Sequence, residues 1–168
     1  MSEVVIFGKP FKIILRESRE PSVEVRGDKV FVSGSREIIP SLFAEFLEEK
    51  LYERLFDIYD EIKSDGRVEI LGELDFEVVE RIDGRGNRIA KLKGNKILVK
   101  RSAIALPEEA LRYIVAHEIA HLLVKRHTAR FWDIVRLIYP DFEKGKRSLE
   151  DSAQAETLIK GLKGAFEP

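Results

Sequence analysis

Tyr113-Ile114-Val115-Ala116-His117-Glu118-Ile119-Ala120-His121-Leu122-Leu123 combines a secondary-structure signal with a chemical one. Apolar residues at Leu111, Ile114, Val115, Ile119, Leu122 and Leu123 recur with helical spacing, predicting a helix from Pro107 to about Lys125. Pro107-Glu108-Glu109 opens it well, with proline in the first turn and acids at the positive end of the dipole. His117 and His121, four apart, then project from one face about 6 Å apart along the axis. Two imidazoles so placed can share one ion. His127, the last of the chain's three histidines, follows close enough for the chain to finish the helix and turn back.

Zinc takes imidazole nitrogen readily, and catalytic zinc typically has three protein ligands and an open fourth position. His117, His121 and His127 are therefore the expected metal ligands. Glu118, one position round from His117, is the expected base for a metal-activated water. Two plainer readings compete. The histidines could be buried core residues bonded to carbonyls, but three polar groups on one turn bring no packing gain. The ion could be purely structural, but such sites are usually closed by a fourth ligand, often Cys. This chain has no Cys and no fourth His.

Beyond this helix, Thr128 is placed to cap a second one holding Phe131, Trp132, Val135, Leu137 and Ile138, stopped by Pro140. A third is predicted from Ser148 to about Lys163, with Ser148 and Asp151 as a capping box. On the other side, Ile89–Leu92 and Ile97–Val99 read as a strand pair joined through Lys93-Gly94-Asn95. Val68–Ile70 and Phe76–Ile82 read as further strands, and Asp83–Asn87 as a loop. Farther upstream, apolar spacing predicts a long helix from Pro40 to about Lys63, with Gly66 just past its end and an acidic outer face. The first third reads as short strands: Val4–Phe7, Phe11–Leu15, and a hairpin of Val23–Val25 with Val30–Val32 across Gly27-Asp28.

The implied class is α+β. The chain is expected to form one domain over 1–168: N-terminal strands and long helix (1–66), a core carrying the histidines (67–140), and a helical tail (141–168). Its 168 residues suit one hydrophobic core, and 44% apolar with 35% charged residues excludes a disordered or fibrous chain. Zero Cys excludes disulfides, iron–sulfur clusters and thiolate zinc. With 29 basic and 30 acidic residues there is no global attraction to nucleic acid or membrane, and no apolar run approaches a membrane span. A cytoplasmic protein is expected. Asn87, Asn95 and Gln154 are the only side-chain amides and Met1 the only Met, a scarcity that suggests a thermophilic source.

From Arg81 to Arg101 eight basic residues accompany one acid, Asp83. This stretch is either a patch for phosphates or an acidic substrate, or the outward face of a strand pair whose charges discourage edge aggregation. The alternation of strands favours the second.

Three families share the histidine spacing. Metzincins have Gly where this chain has Val124, and a Met beneath the site. Bacterial RNA-maturation endoribonucleases have Gly where this chain has Glu118. From Leu106 to Asp141 the chain resembles the YgjP-like metallopeptidase family, kin of the SprT-like zinc proteases. The matching residues are Tyr113–Leu123, His127-Thr128, Phe131-Trp132 and Pro140-Asp141-Phe142. A weaker resemblance extends to the early strands with Arg16, Ser18 and Arg19 and to the helix after Pro40. The resemblance implies a zincin-like core, a small mixed sheet on the site helix. It implies zinc on His117, His121 and His127, Glu118 as base, and Phe131 with Trp132 packing the next helix against the site. Two departures fall near the expected substrate path: no Trp between Gly84 and Lys96, and Arg126 where the family often has Asn.

The expected function is zinc-dependent peptide hydrolysis, with substrate laid along a sheet edge at Ile97–Val99 and Tyr113, Tyr139 or Arg130 steadying the developing oxyanion. The partner is then a polypeptide. Two alternatives stand beside it: a metal-dependent phosphoester or nucleotide hydrolase, and a nucleic-acid-associated protease using the basic 81–101 stretch.

Overall fold

The computed structural model describes residues 2–83 and 88–152. It is α+β, with two small sheets and, among the described residues, four α-helices. In chain order these are β1 (Glu3–Ile6), β2 (Lys9–Glu17), β3 (Ser22–Arg26), β4 (Lys29–Gly34), α1 (Ile39–Asp65), β5 (Asp75–Val79), β6 (Ala90–Lys93), β7 (Lys96–Lys100), α2 (Glu108–Leu123), α3 (Ala129–Ile138) and α4 (142–152). A short 3-10 segment, Arg101–Ala105, links β7 to α2.

The first sheet has the order β1-β2-β4-β3. The expected β3–β4 hairpin forms across Gly27-Asp28, pairing Val25 with Val30 and Val23 with Val32. β4 also pairs in parallel with β2, so the hairpin docks as a unit beside the first two strands. Val30 and Val32 are fully buried beneath α1. The turn joining β1 to β2 needs two left-handed residues, Phe7 (φ 49°) and Gly8 (φ 81°). Their N–H groups donate to the carbonyls of Ile104 (2.7 Å) and Ala105 (3.1 Å), tying the N-terminal hairpin to the segment that launches α2.

α1 follows the predicted bounds closely, with Pro40 in its first turn and Gly66 closing it in the left-handed conformation. Leu51, Leu55, Ile58 and Ile62 form its buried stripe, which contacts β3 and β4 of one sheet and β5 of the other. One apolar cluster therefore draws residues from both sheets, α1 and α2. Across the α1–α2 junction Arg54 donates to Glu108 (Nε to Oε2, 2.7 Å) and Arg112 donates to Glu61.

The second sheet has the order β5-β7-β6, with β5 parallel and β6 antiparallel to β7. This corrects the expected substrate edge. Ile97–Val99 lies on the central strand, its hydrogen-bonding groups used on both sides, and Ile97 and Val99 are fully buried. Among the described residues the free edge beside α2 is β6.

Three further expectations change. Val68–Ile70 forms no strand: Val68 and Ile70 pack against the core from an irregular crossover between α1 and β5. The strand predicted over Phe76–Ile82 ends at Val79. Ser148 is not a cap, because α4 begins six residues earlier. Its hydroxyl donates to Glu109 of α2 at 3.4 Å, and its carbonyl accepts from Ser152. The rest of that predicted helix, from 153 onward, and residues 84–87 of the predicted loop lie outside the described residues. Among the described residues no helix is long and apolar enough to cross a membrane.

Candidate metal centre and cleft

α2 is buried along most of its length, with Leu111, Val115, Ala116, Ile119 and Ala120 wholly inaccessible. That burial fixes the rotation of the helix and sends His117 and His121 out together on the remaining face. Their ring centroids are 4.8 Å apart. Val124 ends the helix in an extended conformation, its N–H donating to Ala120 (2.9 Å), and the chain reverses over 124–128. A tight contact from the Thr128 N–H to the Arg126 carbonyl (2.8 Å) completes the reversal. His127 is thereby brought back over the helix, 5.1 Å from the His117 ring and 4.8 Å from that of His121. Thr128 caps α3 as predicted, accepting from the Phe131 N–H.

One ligand nitrogen from each of His117, His121 and His127 lies within 4.8 Å of the others. The Nε2 atoms of His121 and His127 are 3.0 Å apart. Two nitrogens each about 2.0–2.1 Å from one zinc stand roughly 3.3 Å apart in a tetrahedral arrangement, so the pair is near ligating distance. His121 Nδ1 is 3.3 Å from the Val124 carbonyl, the contact that places the proton on Nδ1 and leaves Nε2 its lone pair. The His127 pKa lies below the ordinary histidine value, through desolvation first and then the neighbouring His117 and His121 rings. Three imidazoles on a common focus suit a borderline divalent cation such as zinc. The residues present fit the ion.

Beneath the imidazoles lies Phe131, fully buried, within 5.1 Å of all three ring centroids. Trp132 flanks His117 and His127 and stacks on Phe142 of α4 at 5.8 Å. The expected aromatic pair thus does more than join helices: it forms the floor of the centre. Glu118 is the one buried charged residue among those described, at 7% exposure, with Oε1 3.2 Å from His117 Nδ1. A carboxyl group withdrawn from water beside a histidine cluster is costly to bury and marks a candidate functional position.

The histidines open onto a cleft of about 890 Å³ between β6 and α2. Of the three candidates for an oxyanion donor, only Tyr113 lines it, one turn before His117. Burial, then the Glu150 and Glu118 carboxylates, push the Tyr113 hydroxyl up to about 12, so it remains a proton donor. Tyr139 and Arg130 lie outside the cleft lining. The basic 81–101 stretch divides. Lys96 pairs with Glu77 and Arg101 with Glu48, each at 3.5 Å, whereas Arg88 and Lys91 line the cleft. Lys125, which the sequence did not single out, joins them from the end of α2.

A family model described as YgjP-like, metallopeptidase domain, matches residues 89–152, the span from β6 into α4 that contains the three histidines and Glu118. None of the curated proteins compared with the chain matches it. The resemblance noted in the sequence is thus upheld where its motifs lie: residues 89–152 are similar to the YgjP-like metallopeptidase domain.

Proposed function

We propose that the chain is a zinc-dependent peptidase in which His117, His121 and His127 hold the metal and Glu118 is the general base. The observation that carries this reading is the convergence of the three imidazoles beside one buried carboxylate, at the mouth of a cleft bordered by a free strand edge. Zinc, when bound, would polarise the scissile carbonyl and make water acidic enough to give up a proton near neutrality. Glu118 takes that proton and returns it to the departing amine. The free edge of β6 offers backbone groups to an extended polypeptide, which would lie antiparallel or parallel to it as an added strand. Tyr113 donates a hydrogen bond to the oxygen that gains charge.

The mixed sheet, with a strand edge beside the helix that carries His117 and His121, supports reading the core as zincin-like. The shared apolar cluster, which joins both sheets to α1 and α2, supports reading the described residues as parts of one domain. The test is metal analysis of purified protein with a comparison of wild type and Glu118→Gln on a casein-like substrate. Zinc should be retained and hydrolysis lost in the variant; equal turnover excludes Glu118 as base.

A further inference from the structure

The chain as a whole is almost neutral, with a net charge of −1, yet its cleft is not. Arg88, Lys91 and Lys125 line it, and among the described residues Glu118 is the only acid that does so. Glu118 belongs to the catalytic centre and is buried. None of the three cations has an ion-pair partner among the described residues, whereas their neighbours Lys96 and Arg101 are paired. The three also surround the centre from different elements. Arg88 precedes β6, Lys91 lies within it, and Lys125 follows α2.

Lys91 has a definite position in this geometry. Ala90 and Leu92 pair with Val99 and Ile97 on the core face, so Lys91 and Lys93 project from the opposite face of β6. A polypeptide added along the free edge would set alternate side chains on each face, and those sharing the face of Lys91 fall beside an ammonium group. Cations with no ion-pair partner among the described residues, gathered along one cleft, favour carboxylates by charge complementarity.

We infer that the cleft selects polypeptide segments bearing acidic side chains next to the bond presented to the histidines, with Arg88, Lys91 and Lys125 as the residues that recognise them. This rests on the peptidase reading and names its substrate class. Backbone pairing along β6 favours a polypeptide over a nucleic acid, because an edge strand offers amide partners and no stacking platform.

The experiment uses the full chain loaded with zinc. Binding is read by fluorescence anisotropy on Glu118→Gln, with three labelled peptides identical except for Glu, Gln or Lys flanking a common centre. The Glu peptide should bind about tenfold tighter than the Gln peptide, the Lys peptide weakest, and the preference should shrink as salt is raised. In Lys91→Glu/Lys125→Glu, checked for folding by circular dichroism, the Glu-to-Gln ratio should fall to near one. Equal affinities for the three peptides in the parent protein overturn the inference. So does displacement of the Glu peptide by a single-stranded oligonucleotide that binds more tightly than the peptide itself. Cleavage by wild type separates this from the peptidase reading. Turnover of Glu and Gln peptides at equal kcat/KM sinks the acidic preference alone. A Glu preference in binding with no cleavage of any peptide sinks the peptidase reading alone.

Discussion

Phe131 and His121 stand ring against ring, their centroids 4.5 Å apart and their planes tilted by 37°. Phe131 belongs to α3 and His121 to α2, so the orientation of a proposed metal ligand depends on how the next helix packs. Truncation in Phe131→Ala would remove a wholly buried ring and cost about 3–5 kcal/mol. Phe131→Leu isolates the local effect. It keeps the site apolar and should cost only about 1–2 kcal/mol, but it removes the flat surface that restrains the imidazoles. Zinc affinity should fall about tenfold, as for other residues that orient metal ligands. Competition with a fluorescent chelator measures it; unchanged affinity would mean the ligands hold their positions without this floor.

Zinc should also stabilise the fold, because the three imidazoles converge only in the native state. At a thousandfold excess over Kd the gain is about 4 kcal/mol. His127 is exposed and lies in a turn, so His127→Ala should melt within a few degrees of metal-free wild type. The contrast appears on adding zinc. Wild type should rise by several degrees and the variant hardly at all. Thermal melts with zinc and with chelator, run in parallel on both proteins, check this; equal zinc-induced shifts would remove His127 from the ligand set.

The centre was legible in the sequence because it is built almost entirely from local rules. Helical periodicity places His117 beside His121, and a short reversal returns His127, with Thr128 capping α3 directly after it. The sheets were less legible for the opposite reason. The β2–β4 and β5–β7 pairings are parallel and join strands that are not consecutive. No local pattern announces which strand becomes central, so the sequence alone does not distinguish β6 from β7 as the edge. Val68–Ile70 has strand-like alternation, but its apolar side chains are used for packing alone. At Ser148 a residue favoured at helix starts sits inside a helix, where its hydroxyl finds Glu109 on a neighbouring element. The basic stretch could be split into paired and cleft-lining residues only once Glu77 and Glu48 were placed in space.

At the α1–α2 junction, acid should weaken one specific contact. The Arg112 guanidinium, by its hydrogen bond and then its charge, holds the Glu61 carboxyl below its ordinary value. A group depressed in the folded state contributes stability above its unfolded pKa and loses that contribution as pH falls through the folded one. Arg112→Ala should therefore be less stable than wild type at pH 7, with the difference closing in acid below the usual carboxylate range. Glu61 is largely exposed, so the effect should be small and should diminish in high salt. Urea denaturation of both proteins at pH 7 and pH 3 supplies the comparison. A gap that widens in acid would contradict the assigned sign.

Gly145 sets how closely α4 approaches α2. A Cβ at this position would lie 2.5 Å from the Glu109 carbonyl oxygen and 2.9 Å from Cβ of Tyr113. The first of these is backbone inside α2 and cannot swing aside, so the helices must part to admit a methyl group. Helix propensity alone would make Gly145→Ala stabilising by up to about 1 kcal/mol. The overlap should outweigh it, for a net loss of about 1–3 kcal/mol. The displacement has a second consequence, because Phe142 of α4 stacks on Trp132 and Leu149 lines the cleft. Gly145→Ala should therefore alter the Trp132 fluorescence, Trp132 being the sole tryptophan, and raise KM for peptide more than it lowers kcat. Urea titration followed by tryptophan emission reads stability and environment together. A variant as stable as wild type with unshifted emission would show that α4 accommodates a side chain at Gly145 without moving.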